Sequence, residues 1–435
     1  MTSQSPFTED IVPHTARTER VLLTIVGLFL LMNFFSLAIL QQSTWQPALH
    51  FFVWVGCAIV GTSVLDRYLP NRDALLFPIV MFMSGWGVIL VDRLAPNFAD
   101  RQTLWLLLST AVMLLVASLP QLLRWLRVYR YVILISGIVL LVSTIVLGQN
   151  PSGLAGAPQL WLGFGKIFFQ PSEALKVILV AFLASYLSEQ YPALRAESRL
   201  KQFASGQLWM SPRILGPILT MWGLSVVLVV WQRDLGTAAL FFAVFLILLY
   251  VASGQTFILI GGGLLLVIAG FVAYNLFSVV ALRVDIWINP WAEADGRAYQ
   301  IVQSLMAFGA GGIFGTGIGQ GSPTYIPVVH SDFVFSALAE EYGLLGVIVL
   351  LACVAIFVMR GLRIAVLHQD RPFYALMAIG LSMLIGIQSF LIMGGVLKLL
   401  PLTGVTLPYM SYGGSSLLIS FIILGLLLRL SSEVD

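Results

Sequence analysis

At 435 residues, 59% of them hydrophobic and 10% charged, with a mean hydropathy of +0.95, the chain cannot fold as a soluble globular protein, in which about a quarter of residues are charged. Its net charge of +3 marks no nucleic-acid partner, because the basic residues form no patch with aromatic interleaving. The two cysteines, Cys57 and Cys353, lie in apolar stretches; they give no disulfide framework and read as small buried hydrophobes.

In chain order, Met1 to Arg20 is polar, contains Pro6, Pro13 and His14, and has no short apolar run ending in a cleavage site. Residues 1–19 therefore read as a cytoplasmic tail and not as a signal peptide. A spanning helix needs about twenty mostly apolar residues. Such windows recur near 20–40, 48–65, 74–93, 103–119, 130–148, 172–187, 213–231, 236–252, 256–281, 333–359, 373–397 and 405–430. The expected fold is all-α, a polytopic integral membrane helical bundle of about 12 transmembrane helices, with 20–435 as a single transmembrane domain. The windows 172–187 and 236–252 are short and open on polar residues, which suggests tilted or partly re-entrant segments lining a cavity.

Short cytoplasmic loops collect Lys and Arg. With the N-terminus inside, the inner segments hold 15 of the 23 basic residues, so both termini are expected in the cytoplasm. Residues 149–171, 398–404 and the turn Gln232–Leu235 then face outward, together with a large extracytoplasmic loop at 282–332.

Ionisable groups at membrane depth cost a few kcal/mol or more and usually face a polar cavity. Four motifs bring polar residues to the outer side. Gln170-Pro171-Ser172-Glu173-Ala174-Leu175-Lys176 opens the sixth window, and Glu173 and Lys176, three apart, share a helical face. They make either a structural ion pair or a pocket in which Lys176 meets phosphate. In Gln232-Arg233-Asp234, Asp234 can cap the following helix and Arg233 can offer an anion a charge. The segment from Arg283 to Ser331 carries Gln300, Gln303 and a run of glycines from Gly309 to Gly321. With no preceding strand, that run is no nucleotide cradle; it reads as a mobile flap or as a close backbone approach to a ligand. It leads into His330-Ser-Asp332 and then Glu340-Glu341, where Asp332 could also be a simple N-cap for the next span. Finally, Pro401 to Ser416, with Pro408, Gly413 and Gly414, predicts a broken start to the last span and presents Ser411, Tyr412, Ser415 and Ser416.

Taken together, Phe169-Gln-Pro-Ser-Glu-Ala-Leu-Lys176, Gln232-Arg-Asp-Leu-Gly-Thr237, Tyr299-Gln-x-x-Gln-Ser304, His330-Ser-Asp-Phe through Gly343, and Leu407-Pro-Tyr-Met-Ser-Tyr-Gly-Gly-Ser-Ser416 closely resemble the signatures of the SEDS family. Its members are bacterial shape, division and sporulation proteins. The resemblance implies a peptidoglycan glycosyltransferase that polymerises lipid II and works with a class B penicillin-binding protein. It places the family's outward-facing aspartate on Asp332, and the Glu and Lys of its Gln-Pro-Ser-Glu motif on Glu173 and Lys176. Two departures stand out: Gln-Arg-Asp replaces the usual Gln-Pro-Asp, and the twelve windows exceed the family's ten-span core, which puts two extra spans before residue 95. Ala339-Glu340-Glu341 leans towards the RodA branch, whereas Thr406-Leu-Pro leans towards FtsW.

The chemistry of such a reaction needs one base near the acceptor hydroxyl and positive charge near the departing diphosphate. Asp332 is the expected base. Glu173, Lys176, Arg233, Gln300, Gln303, His330, Lys398, Ser411 and Ser415 are the expected substrate-binding residues, with Arg283 and Arg297 steering the anionic headgroup. No cofactor is required, although a divalent cation such as Mg or Mn could replace a basic side chain at the leaving group. The competing readings are a lipid II flippase, which would place polar residues near the midplane, and a non-catalytic scaffold, which would not need Asp332, Glu173 and Lys176 together.

Overall fold

The computed structural model describes residues 15–41, 46–150, 159–165, 167–203, 223, 227, 230 and 234–433. Fourteen helices are seen among them: α1 Thr15–Gln41, α2 Gln46–Tyr68, α3 Leu76–Leu94, α4 Pro96–Ser118, α5 Leu122–Val128, α6 Arg130–Leu147, α7 Pro171–Phe203, α8 Leu235–Ser253, α9 Phe257–Leu276, α10 Ser278–Ile288, α11 Tyr299–Gly311, α12 Val334–Leu367, α13 Pro372–Val396 and α14 Gly414–Ser432. A two-stranded antiparallel hairpin, β1 Leu162–Phe164 and β2 Ile167–Phe169, precedes α7 and pairs Leu162 with Phe169.

Eleven of these helices are long and apolar enough to cross a membrane. They match eleven of the twelve expected windows; the remaining one, 213–231, lies almost wholly outside the described residues. Three boundaries differ from expectation. The segment opening at Pro171 is neither short nor re-entrant, because α7 runs on through Phe203. The window 256–281 divides at Phe277, whose extended backbone separates α9 from α10. The last span begins at Gly414 and not at 405, because residues 401–413 follow an irregular path with Tyr409 at φ 66°.

The most extensive packing joins α4 to α14 and α12 to α13. Helices α3, α7, α13 and α14 are the most enclosed, whereas α9 turns most of its surface outward. Many hydroxyls inside the bundle bond back to their own helix, as Thr110 does to the Leu106 carbonyl and Ser382 to that of Ala378. Such bonds remove the cost of a bare polar group in an apolar interior.

The helix directions sort the connections onto two ends of the bundle. One end gathers Arg20, Asp66, Arg72, Asp73, Arg360 and Ser431 through ion pairs and hydrogen bonds. The other gathers the turn at residue 95, the β hairpin, Asp234, the whole stretch 277–333 and the irregular segment 397–413. That second end carries the chemistry.

Candidate active site

Helix α12 starts at Val334 with Phe333 as its N-cap, and no side chain caps it. Asp332 is therefore not the cap that the sequence allowed. Its Oδ1 accepts a hydrogen bond from the Ser331 hydroxyl at 2.8 Å. Burial pushes its carboxyl up to about 6, against the opposing pull of the Ser331 bond and the Arg283 guanidinium. A carboxyl poised there can accept a proton near neutral pH.

Arg283, on α10, donates to the Thr403 carbonyl at 3.0 Å. Burial lowers its basicity while the carboxylates of Asp332 and Asp234 act in the other direction. One guanidinium thus lies in the field of two acids contributed by distant parts of the chain.

Asp234 caps α8 by accepting from the Thr237 amide. Its second oxygen accepts from Ser172 at 3.4 Å, and Gln170 donates to the same Ser172 hydroxyl at 3.0 Å. Burial raises its carboxyl above the usual range, opposed by the Thr237 bonds and the Lys176 charge. Lys176 and Glu173, both buried on the first turns of α7, pair at 2.7 Å as their spacing predicted. Lys176 donates a further bond to Gln388 Oε1 at 3.0 Å, and Gln388 donates to the Thr406 carbonyl at 2.8 Å. Glu173, Lys176, Asp234, Arg283 and Asp332 accordingly form one charged group, walled by α7, α8, α10 and the segment 397–413.

Several of the other expected contact residues have protein partners. Ser411 donates to the Ser331 carbonyl at 2.6 Å and accepts from the Leu407 amide, so its hydroxyl holds the residue beside Asp332. Ser415 accepts from the Gln170 amide at 3.0 Å. Gln300 donates to the Pro327 carbonyl at 3.2 Å and braces the loop before His330. The His330 ring stacks on Phe98 at 5.0 Å, and burial lowers its basicity, which leaves a neutral platform. Gln303 lies on the same helix as Gln300 and is half-buried. The Lys398 carbonyl accepts from Trp287 at 3.1 Å. Arg297 is exposed and paired with Glu293, away from the charged group. Arg233 lies outside the described residues.

Val328, Lys398 and Tyr409 adopt positive φ without being glycine. Such strain persists only where the surroundings over-determine it, and it clusters at functional sites. All three flank the segments that hold Asp332 and Arg283.

The glycine run departs from expectation. Helix α12 breaks at Gly343, φ 65° and ψ −163°. The freed Leu344 and Leu345 amides donate to Gly312 and Ile313, and the freed Glu340 and Glu341 carbonyls accept from Thr316 and Gly317. The run is thus a splint on α12 and not a free flap. Among the described residues, no group of three His, Cys, Asp or Glu side chains is arranged to hold a metal.

A family model described as cell cycle protein, for FtsW, RodA and SpoVE, matches residues 72–435. The peptidoglycan glycosyltransferase RodA of Mycobacterium tuberculosis is 38% identical over 84% of this chain and 79% of its own. That of Mycobacterium leprae is 33% identical over 99% and 94%, and FtsW of Geobacter metallireducens is 32% identical over 82% and 92%. Among solved structures, a chain from a study of the coordination of polymerization and crosslinking by a peptidoglycan synthase complex superposes with a TM-score of 0.67 at 26% identity, covering 84% of this chain and 99% of that one. The rod shape determining protein RodA of Thermus thermophilus superposes with a TM-score of 0.56 at 25% identity, covering 83% and 97%.

Proposed function

The chain belongs to the FtsW, RodA and SpoVE family of cell cycle proteins, and from that membership we infer that it is a peptidoglycan glycosyltransferase, a multi-pass protein of the cytoplasmic membrane. A flippase is not favoured, because the relatives are named as glycosyltransferases and the charged group lies at the helix ends and not at the midplane.

We propose that the substrate is lipid II, polymerised into β-1,4 glycan strands. The acceptor 4-hydroxyl attacks the anomeric carbon of an α-linked sugar diphosphate, the bond from that carbon to the diphosphate breaks, and the configuration inverts. Asp332 takes the hydroxyl proton. Arg283 and Lys176 stabilise the negative charge that gathers on the diphosphate. The observation that carries this reading is a partly desolvated carboxyl, poised at about 6, next to a guanidinium that has lost part of its hydration.

The partner is proposed to be a class B penicillin-binding protein, consistent with the synthase complex whose chain this fold resembles. We propose that the charged site faces outside the cell and both termini the cytoplasm, because 15 of the 23 basic residues fall in the segments read as inner. The deciding experiment is polymerisation of labelled lipid II by the purified protein with such a partner. Polymer from wild type and none from Asp332→Asn is expected; polymer from both would remove Asp332 as the base, and lipid II transport without polymer would restore the flippase.

A further inference from the structure

The corner between α3 and α4 at the active end carries more polar groups than a helix turn requires. Asp92 ends α3, Asp100 opens α4, and both face His50 of α2. The His50 Nε2 lies 3.1 Å from Asp100 Oδ1, and its Nδ1 lies 3.8 Å from Asp92 Oδ2. His50 and Asp92 are 2% and 4% exposed, and Nδ1 and Oδ2, too far apart for a hydrogen bond, are both buried without a hydrogen-bond partner. The Asp100 side chain, at 71% exposed, opens the cluster to water.

Opposite ring nitrogens facing separate carboxylates cannot converge on one metal ion. They suit a proton instead. A neutral imidazole has one N–H and satisfies one carboxylate; an imidazolium has two and satisfies both. The remaining charges nearby do not compete for the ring. Arg93 turns the other way, donating to the Gly319 and Gly321 carbonyls and lying 3.3 Å from Glu341 Oε1. Arg101 is exposed, and α1, also packed on α2, carries its ionisable residues Arg17, Glu19 and Arg20 at its far end.

The same corner touches the active site at three points. The Phe98 ring packs on His330 and on Tyr412, at 5.0 and 4.7 Å. Gln102 donates to the Ser411 carbonyl at 3.3 Å, and the Ser411 hydroxyl in turn holds Ser331 beside Asp332. Arg93 pins the glycine splint on α12.

We propose that His50, protonated between Asp92 and Asp100, is a positioning residue that makes the alignment of Asp332 depend on the pH at the outer face of the membrane. His50 lies on the helix pair that precedes the family-matched region, so this control is an addition to the core and not a part of its chemistry. The proposal rests on the glycosyltransferase reading for its kinetic consequence, and on geometry alone for the proton bridge.

The test measures lipid II polymerisation and thermal unfolding of the full-length protein across about pH 5.5 to 9. Wild type should lose kcat, with KM little changed, as pH rises above neutrality, and its unfolding temperature should fall over the same range as the second N–H is lost. Above neutrality His50→Gln should be flat in both, keeping only the change through about pH 6 that belongs to Asp332, with kcat about tenfold lower near pH 7, a cost in keeping with a small misplacement of reacting groups. Asp100→Asn, at an exposed position that the fold tolerates, should move the alkaline loss to lower pH, and it decides the matter even where His50→Gln fails to fold. Unchanged kcat and pH profile in His50→Gln, or an unmoved limb in Asp100→Asn, overturns the proposal. If wild type makes no polymer at any pH but its unfolding temperature titrates and that of His50→Gln does not, the proton bridge stands and the catalytic reading fails.

Discussion

Because the carboxyl of Asp332 caps no helix and, among the described residues, hydrogen-bonds only to Ser331, replacing it removes a proton acceptor without undoing the fold. Asp332→Asn is expected to lower polymerisation by about a hundredfold or more. The wild-type rate should rise with pH through a midpoint near 6, because only the ionised form is a base and its carboxyl is poised at about 6. The sign for stability is the reverse. A carboxyl raised above its ordinary 3.8 costs folding stability wherever it is ionised, and that cost fades as pH falls through 6. Asp332→Asn should therefore unfold at an equal or higher temperature, with a gain of order 1 kcal/mol after allowing for partial exposure. An inactive variant that is also less stable would indicate a structural aspartate. Glu173 and Lys176 behave differently, being buried and mutually paired. Lys176→Met should destabilise by roughly 3–5 kcal/mol because it strands Glu173, whereas Lys176→Met with Glu173→Gln should recover most of that loss in thermal unfolding but no polymerisation. These three residues were legible in the sequence because charge in an apolar chain is conspicuous. Gln388 was not, since a neutral amide inside a long span carries no such mark. Arg283 was read only as a steering charge, because its approach to Asp332 and Asp234 depends on the path of α10.

At the scale of an element, α12 shows how a helix can be broken without leaving bare backbone. In lipid or a dry interior each unsatisfied amide costs several kcal/mol, and the glycine run supplies partners for both sides of the break at Gly343. Gly343 has φ 65°, and a Cβ there would lie 2.3 Å from the Gly315 nitrogen. Gly343→Ala should consequently cost roughly 1–3 kcal/mol in backbone strain alone, more with the clash, and should depress kcat by shifting the helix that follows Asp332. Thermal unfolding and kinetics of Gly343→Ala check this; wild-type behaviour would mean that the break is not imposed by the splint. The sequence announced many glycines here but not their partner, because one bare backbone recognises another without any side-chain code. The broken start of the last span was legible for the opposite reason: Pro401, Pro408, Gly413 and Gly414 forbid a regular helix by their own covalent geometry.

For the molecule as a whole, hydropathy announced the eleven spans seen among the described residues, and the first two, α1 and α2, precede the family match beginning at residue 72. How that pair attaches could not be read, since its anchors are single residues far apart in the chain. At the end away from the active site, Arg72 donates to both oxygens of Glu19, at 3.0 and 2.7 Å, and to Asp66 at 2.8 Å, with Glu19 fully enclosed. At the active end, the Tyr342 hydroxyl donates to Asn33 at 2.6 Å, one residue before the break in α12. The pair is therefore clamped to the core at both ends. Arg72→Ala should lose roughly 3–5 kcal/mol, because truncation leaves Glu19 buried and uncompensated. Arg72→Met combined with Glu19→Leu should return close to wild-type unfolding temperature, since an apolar pair of similar volume removes the same desolvation cost. Tyr342→Phe, which deletes only the hydroxyl, should cost about 1 kcal/mol and mainly affect kcat. Were the double variant as unstable as Arg72→Ala, the ion pair itself would be holding α1 in place and not merely avoiding an orphaned charge. Were all three variants indistinguishable from wild type, α1 and α2 would be passengers on the core, and a chain starting at residue 69 would fold and polymerise without them.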